Sequence, residues 1–177
     1  MRKLIVVVVL AIAGFVAYRE MTRAWHVYSS PKGDYSVEMP GMHFLPETRT
    51  ISQGPFSAKL VAVQGESERV AYTAAYIDFP VMPGMRSQPD ANELLQAAVA
   101  GGVQAVKAKV VNEEEITIRG MPAREVVADL PNATHFLRGR FALSGRRVYM
   151  LLIVAAKEDR EADEVNRFFD SFQLTGT

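Results

Sequence analysis

The sequence predicts an α+β fold: an antiparallel β-sheet flanked by helices on both faces and preceded by an N-terminal hydrophobic helix. Many short segments rich in β-branched and aromatic residues are separated by turn motifs, which is typical of strands joined in hairpins. Two further segments, which begin near Asp90 and Asp159, carry apolar residues at helical spacing. Because hairpins join neighbouring strands, we expect the sheet to be antiparallel.

The N-terminal segment contains an apolar run, Leu4 to Tyr18, that directly follows Arg2 and Lys3. A short positive start before such a run is typical of a secretory signal peptide or of an uncleaved membrane anchor. The Ala-x-Ala cleavage motif, residues 11–13, lies inside the run, which favours retention as an anchor. A helix of 15 residues reaches about 22 Å, however, which is short of a hydrocarbon core of about 30 Å. Both possibilities therefore stay open.

This segment determines the expected domain organisation and location. Residues 1–18 are the signal peptide or transmembrane anchor, residues 19–24 a short tether, and residues 25–174 one folded domain. Either kind of leader directs the rest of the chain out of the cytoplasm. We expect a domain on the outer side of the cell membrane if the anchor is retained, and a periplasmic or secreted protein if it is cleaved. The membrane is the expected partner of the N-terminal segment.

The composition restricts the function further. The 20 basic and 20 acidic residues cancel, which argues against a nucleic-acid partner, because such proteins carry a basic surface. The chain has no cysteine, which excludes disulfides, thiolate metal sites and the acylated cysteine of a lipoprotein. The roughly 150 residues after the leader are enough to bury one core. The stability of the domain must therefore come from packing.

Five strands are expected before the first helix of the domain. Pro31-Lys32-Gly33-Asp34 is a turn motif, since proline presets φ and glycine accepts a positive value. This turn separates the first two strands, and Gly54-Pro55 separates the next two. The predicted strands are Trp25–Tyr28, Tyr35–Met39, Phe44–Gln53, Ser57–Gln64 and Arg69–Phe79. Pro80, Pro83 and Gly84 then break the pattern into a loop.

The first helix of the domain begins at Asp90. A short acceptor at this position, with Glu93 three residues later, forms a capping box. One apolar stripe follows at helical spacing: Leu94, Leu95, Ala98, Val99, Val103 and Val106. Gly101 and Gly102 each weaken the helix by about 1 kcal/mol relative to alanine, so the helix depends on tertiary packing.

Two hairpins and a final helix complete the domain. The hairpins are Lys107–Ile118 with Ala123–Leu130, and His135–Leu143 with Arg147–Ala156. The final helix begins near Asp159, with Ala162, Val165, Phe168 and Phe172 on one face. The strand 147–156 is apolar on both faces and needs cover on both sides, so we expect it at the centre of the sheet. The strand 136–143 alternates with arginines, and we expect it nearer an exposed face.

Four groups of turn and core residues lie along residues 25–174. They are Trp25-x-x-Tyr28-x-Ser30-Pro31-x-Gly33-x-Tyr35-Ser36-Val37-Glu38-x-Pro40-Gly41, the middle helix, Gly120-x-Pro122-Ala123-Arg124-Glu125 and Arg167-Phe168-Phe169-Asp170-Ser171-Phe172. Together they resemble small exported bacterial proteins with the PsbP-like α-β-α sandwich. Members of that fold include extrinsic photosystem II subunits and envelope lipoproteins, so the resemblance implies a non-enzymatic accessory or interaction protein. The functional residues of the photosystem proteins have no match here, and no site is transferred.

The sequence carries no catalytic, cofactor-binding or metal-binding signature. His26, His43 and His135 lie in separate predicted strands or loops, without the paired spacing of a metal site. The run Glu113-Glu114-Glu115 alternates between the two faces of a strand, which indicates a solvated edge and not a pair of catalytic acids. Asn132-Ala133-Thr134 is a glycosylation sequon, which matters only in a source that glycosylates exported proteins. We expect no cofactor.

Two features could form a contact surface. Arg138 and Arg140 project on one face of a predicted strand, and the following turn brings Arg146 and Arg147 near the same hairpin. This basic group either meets anionic lipid headgroups or an acidic partner, or is a solvated face paired with Asp and Glu. The loop of residues 79–85, with Met82 and Met85, either forms an apolar contact lip or folds back on the sheet.

Three functions are compatible with these patterns. The leading hypothesis is an exported or membrane-anchored accessory domain that acts by protein contact, without catalysis, on a partner whose identity the sequence does not specify. The second hypothesis is a pocket between sheet and helix for a small apolar or anionic molecule, lined by Tyr72, Tyr76 and the arginines. The third is a hydrolase with dispersed catalytic residues, which residue spacing does not exclude.

Overall fold

The computed structural model describes residues 24–41, 43–53, 56–80, 90–131, 134–160 and 162–176. The strands in this part of the chain are β1 (Trp25–Ser30), β2 (Tyr35–Pro40), β3 (Glu47–Gln53), β4 (Phe56–Glu66), β5 (Val70–Asp78), β6 (Lys109–Ile118), β7 (Met121–Asp129), β8 (His135–Ser144), β9 (Arg147–Ala156) and β10 (Gln173–Leu174). The helices are α1 (Ala91–Ala105), α2 (Asp163–Asp170) and a short 3-10 helix, Lys157–Asp159. Each strand and helix predicted for the domain is present, with ends that differ by a few residues, and β10 is an addition.

The strands form two antiparallel sheets. The larger sheet has the order β3-β4-β5-β9-β8-β7-β6, and the smaller sheet has the order β1-β2-β10. β9 lies at the centre of the larger sheet, which confirms the prediction made from its two apolar faces. β8, beside it, is also largely buried on both faces, so the prediction that this strand lies nearer an exposed face is wrong.

The predicted arrangement of one sheet with helices on both faces is wrong. α1 packs on β7, β8 and β9 at one face of the larger sheet. The opposite face is covered mainly by the smaller sheet, whose Tyr35, Val37 and Met39 are buried together with aromatic residues of β5 and β9. α2 has eight residues and adds a small cover beside β2. The fold is therefore mostly β, with a second sheet where the sequence predicted a helical layer.

An aromatic cluster joins the two sheets. The ring of Tyr35 lies 5.7 Å from that of Tyr149 and 6.3 Å from that of Tyr76, in both cases edge to face. Phe172, which follows α2, adds a fourth ring, 5.9 Å from that of Tyr35. Edge-to-face pairs of this kind stabilise by about 1 kcal/mol beyond the burial of their surface. Since Tyr35 is only 2% exposed, this cluster is the centre of the core between the sheets.

α1 begins with the predicted capping box. The side chain of Asp90 accepts a hydrogen bond from the backbone N–H of Glu93 at 2.8 Å, and the carboxylate of Glu93 accepts one from the backbone N–H of Asp90 at 3.0 Å. The helix ends at Ala105, and Lys107, with a φ of 53°, turns the chain towards β6. The buried residues of the helix are Leu94, Leu95 and Val99.

The C-terminal segment is held at two places. β10 pairs with the start of β2 and so completes the smaller sheet. Arg119, in the turn between β6 and β7, donates hydrogen bonds to the backbone carbonyls of Asp170 and Phe172 at 3.2 and 3.3 Å. These carbonyls lie at and just after the end of α2, where the helix has no further N–H groups to bind them. The segment therefore contacts both the smaller sheet and a hairpin of the larger one.

The predicted leader, residues 1–18, lies outside the described residues. Residues 19–23 of the predicted tether lie outside them as well, so both assignments stay predictions. None of the helices in the described part of the chain is long and apolar enough to cross a membrane.

Candidate interaction surface

Arg138 and Arg140 both bind Glu125, a buried carboxylate on the neighbouring strand β7. Arg138 donates from Nε and Nη2 at 3.0 and 3.2 Å, and Arg140 donates from Nε at 2.6 Å. Glu125 is 9% exposed, so its charge is largely removed from water. Charge-assisted hydrogen bonds to two guanidinium groups offset the desolvation of this carboxylate. The three residues therefore form one ion cluster, here called the Glu125 cluster.

α2 covers the Glu125 cluster. The ring of Phe169 lies 5.1 Å from the guanidinium carbon of Arg138 and 4.8 Å from that of Arg140. Asn166 and Asp170 of the same helix accept further hydrogen bonds from the two arginines, at 3.3 and 3.4 Å. Both guanidinium groups thus hold α2 on the sheet. A helix of eight residues needs such contacts because it is unstable alone.

Arg147 belongs to a separate cluster. It binds Asp78 through Nε and Nη2 at 2.7 and 2.9 Å, and Asp34 through Nη1 at 2.9 Å. Its guanidinium carbon also lies over the ring of Tyr76, 4.7 Å from the centroid. The hydrogen bonds to Asp78 raise the pKa of Arg147, so this side chain stays charged at any pH at which the protein is folded.

The four predicted arginines therefore do not form one open basic patch. Arg146 donates to the backbone carbonyl of Phe79 at 3.0 Å, apart from both clusters. Arg138, Arg140 and Arg147 bind acidic side chains, as the interpretation of a face paired with Asp and Glu expects, whereas Arg146 binds a backbone carbonyl. Met82 and Met85 lie outside the described residues. A contact role for these six residues stays a prediction.

Tyr72 and Tyr76, predicted to line a pocket, are part of the aromatic core. Both side chains are buried, and burial raises the pKa of both hydroxyls. Tyr72 also borders a groove of about 420 Å³, which is formed with Phe44 and the ends of β4 and β5. The structure places neither tyrosine in a pocket between the sheet and α1. The ligand-binding hypothesis for these residues stays a prediction.

The histidines are not brought together by the fold. His26 lies on β1, His43 precedes β3, and His135 begins β8. Within the described ranges, no group of three or more His, Cys, Asp or Glu side chains could hold a metal ion.

β6 is an exposed edge strand of the larger sheet. It pairs with β7 on one side, and no described residue pairs with its other side. A bulge between Val110 and Asn112 leaves Val111 without a partner residue in β7. Val110 is 42% and Val111 57% exposed, and Val106 at the end of α1 is exposed as well. These three valines, here called the valine corner, are exposed apolar residues within one short stretch of the chain, and the sequence patterns did not predict their exposure.

Arg124 links β6 to α1. It lies opposite Glu115 in the sheet and binds the carboxylates of Glu113 and Glu115 at 2.5 and 2.9 Å. Its Nη2 also donates to the side chain of Asn92, in the first turn of α1. All three glutamates are exposed, as the prediction of a solvated edge expects, and Glu113 and Glu115 in addition bind Arg124. The missed signal was the alternate spacing of two acids, which directs both to one cation.

A cavity of about 590 Å³ lies between the first turn of α1 and the β6–β7 hairpin. Leu95 and Pro122 contribute apolar lining, and Thr117 and Glu115 contribute polar lining from β6. Arg124 also lines the cavity, and its Nε is buried without an acceptor among the described residues. A buried donor without a partner is rare, because it loses its hydrogen bonds to water. The cavity therefore combines apolar and polar lining directly beside the edge strand.

Comparisons with known proteins support the fold. The sequence matches no protein-family model and no curated protein. The solution structure of the cyanobacterial PsbP protein (CyanoP) from Synechocystis sp. PCC 6803 is similar, with a TM-score of 0.58 and 10% sequence identity. That similarity covers 86% of this chain and 93% of the cyanobacterial one. A crystal structure of a protein of unknown function from Pseudomonas aeruginosa has a TM-score of 0.36 at 14% identity, over 80% of this chain and 90% of that chain.

The likeness to cyanobacterial PsbP confirms the PsbP-like fold that the sequence motifs indicated. At 10% identity it concerns the fold alone, because one fold carries many unrelated functions. The likeness to the Pseudomonas protein is too weak to support an argument.

Proposed function

We propose that this chain is an accessory binding domain that contacts another protein outside the cytoplasm and catalyses no reaction. Its leader, residues 1–18, carries the domain to the membrane and either anchors it there or is removed. The fold supplies the surface of a small β-rich module, and the function resides in the contacts of that surface.

The observation that carries this proposal is the valine corner. Three exposed valines lie within six residues, where α1 ends and β6 begins. Exposed apolar residues that cluster at one place favour contact with another protein, because contact removes them from water. The charged side chains of the Glu125 cluster, by contrast, bind one another and pack under a helix. They stabilise the domain and are poorly placed to act on a substrate.

Site-specific photocrosslinking tests this proposal in the cells of origin. A photoreactive amino acid at Val111 is expected to capture a protein reproducibly, since this residue is 57% exposed within the valine corner. The same amino acid at Val27 is a matched control, because Val27 is a valine of similar exposure, 63%, on the smaller sheet. Absence of any reproducible adduct from Val111, or equal adducts from both positions, would contradict the proposal.

Fractionation with N-terminal sequencing of the mature protein tests the proposed location. We expect the chain in the membrane fraction with its leader intact, or in the extracytoplasmic fraction with a new N-terminus after the apolar run. A reporter that requires export, fused behind Thr177, is expected to be active. A reporter that works only in the cytoplasm would disprove export.

A further inference from the structure

We propose that the free edge of β6 binds an extended, basic segment of the partner protein as an additional strand. One apolar side chain of that segment enters the cavity beside α1. This inference rests on the proposed function and specifies its surface and the chemistry of the partner.

The backbone of β6 supplies the attachment. β6 has ten residues and pairs with β7 along one side only, within the described part of the chain. In an antiparallel ladder, alternate residues of an edge strand direct both N–H and C=O away from the sheet. About five residues of β6 therefore present hydrogen-bonding groups that an added strand would satisfy. The bulge at Val111 twists one end of this edge.

The charges along β6 select a basic partner. Glu113, Glu114 and Glu115 are consecutive, and Arg124 is the cation that binds two of them. Glu114 lies on the opposite face, across from Glu125, whose carboxylate is already bound by two arginines. Because Glu113 and Glu115 share one cation, their face of the edge carries a surplus of negative charge, and Glu114 adds an exposed carboxylate on the other face. A strand with lysine or arginine beside these positions gains cross-strand attraction, whereas an acidic strand is repelled.

The same charges exclude a second copy of this chain as the occupant. An antiparallel pairing of two β6 strands centred on Glu114 would place six glutamates opposite one another. Like charges at directly opposite positions destabilise a sheet. The other edge strand of the larger sheet, β3, lacks this character, because Glu47 and Arg49 form an ion pair with each other at 2.9 Å. The acidic edge of β6 thus prevents self-association and leaves pairing to a basic segment.

The cavity adds side-chain specificity. Thr117 and Glu115 line it from β6, so a residue paired with Thr117 on the added strand would point towards it. Its apolar lining, which includes Leu95 and Pro122, fits a leucine or a similar aliphatic side chain. A volume of about 590 Å³ is ample for one such side chain. Strand addition commonly combines main-chain hydrogen bonds with pockets for alternate side chains, and both parts are present here.

A labelled synthetic peptide tests the inference on the full-length chain in a non-ionic detergent. The peptide Val-Leu-Thr-Lys-Lys-Lys-Thr-Leu-Val places three lysines beside the three glutamates and a leucine beside Thr117 in either strand direction. We expect saturable binding by fluorescence anisotropy, which weakens about tenfold when the leucines are replaced by glycine. We also expect slower hydrogen exchange of the β6 amides when the peptide is bound.

Charge reversal separates this edge from other acidic surfaces. Glu114→Lys is expected to weaken peptide binding at least about tenfold, and a peptide with glutamate as the central residue is expected to restore it. Glu114 is exposed and lies outside the Arg124 network, so the substitution leaves the fold intact. Glu47→Lys on β3 is the matched control and is expected to leave binding unchanged. Binding that ignores Glu114→Lys, or that leaves the β6 amides unprotected, overturns the inference.

Failure of this inference is distinguishable from failure of the proposed function. If crosslinking from Val111 persists in cells and Glu114→Lys does not reduce it, the domain binds a protein but not by strand addition at β6. If Val111 yields no adduct at all, the proposed function itself fails. A concentration-dependent dimer that protects the β6 amides would identify a second copy as the occupant and overturn the inference.

Discussion

Replacing Glu125 with alanine tests whether the Glu125 cluster stabilises the domain. The substitution removes the acceptor of three guanidinium hydrogen bonds, at 3.0, 3.2 and 2.6 Å. Arg138 and Arg140 are then left under α2 without their main counter-charge. Among the described residues, the side chains of Asn166 and Asp170 then remain as hydrogen-bond acceptors, each through one longer hydrogen bond, and the ring of Phe169 remains in contact with both groups.

The expected loss follows from the burial of the three side chains. Removing one partner of a buried ion pair costs about 3–5 kcal/mol, because the remaining charge is left without compensation. The side chains of Arg138 and Arg140 are 17% and 20% exposed, so water compensates part of this loss. We therefore expect Glu125→Ala to lower the free energy of unfolding by about 3 kcal/mol, the lower end of that range. For a domain of this size, the melting temperature then falls by about 6–12 °C.

Urea unfolding followed by tryptophan fluorescence measures this loss. Trp25 is the only tryptophan of the chain. Its ring lies 5.5 Å from that of Tyr72 and 4.5 Å from the guanidinium carbon of Arg167, so its emission reports on the packing of the smaller sheet. Circular dichroism provides a second probe of the larger sheet, and coincident transitions would justify a two-state analysis.

Glu47→Ala is the matched control. Glu47 also forms an ion pair with an arginine, but the two side chains are 63% and 70% exposed. An exposed pair contributes little, so we expect a change within about 0.5 kcal/mol. If Glu125→Ala costs less than about 1 kcal/mol, or no more than the control, the guanidinium groups are adequately solvated without Glu125 and the reasoning fails.

Two further predictions concern packing and pH. In Gly65→Ala, the new Cβ would lie 2.5 Å from the backbone carbonyl oxygen of Pro40, so β4 and β2 must separate and we expect a loss of about 2 kcal/mol by urea unfolding. Gly101→Ala in α1 is its control, since no atom lies within 4 Å of the new Cβ. We expect this control to raise the free energy of unfolding by about 0.5–1 kcal/mol. Equal effects of the two substitutions would contradict the assigned contact between Gly65 and Pro40. Burial raises the pKa of four tyrosine hydroxyls, Tyr35, Tyr72, Tyr76 and Tyr149, above the ordinary value of about 10. These hydroxyls keep their protons in the folded state at a pH at which the unfolded chain loses them, so the stability is full below pH ~10 and falls as the pH rises. The fall is up to about 1.4 kcal/mol per pH unit for each of Tyr35 and Tyr72, whose pKa values burial raises furthest. Melting temperatures between pH 8 and pH 11.5 measure this fall, and a flat profile would show that the rings are not buried.

Local features of the fold follow directly from the sequence. The capping box at Asp90 and the turn at Gly33 each depend on residues a few positions apart, and periodicity was sufficient to locate the strands. The two apolar faces of β9 likewise identified the central strand. The second sheet could not be predicted in this way, because β2 has one buried face whichever sheet it joins. It is also completed by β10, which is distant in sequence and has only two residues.

In the candidate site too, local sequence predicts the face on which a residue lies but not its partner on another strand. Alternation placed Arg138 and Arg140 on one face correctly, but it could not show that Glu125 on the next strand binds both. The partner of a charged strand residue is set by the register between strands, which a single strand does not reveal. The sequence does contain one indication that Glu125 is paired, because it is an acid within a strand of mostly buried residues. A buried acid of this kind requires a nearby cation.

The pairing of β10 with β2 has a consequence for biogenesis. Residues at opposite ends of the domain must meet before the smaller sheet is complete, and loop closure over such a distance is slow. While a ribosome is still making the chain, Tyr35 and its neighbours lack the strand that finishes their layer. The layer around Tyr35 therefore reaches its final pairing only after residues 173 and 174 have been synthesised.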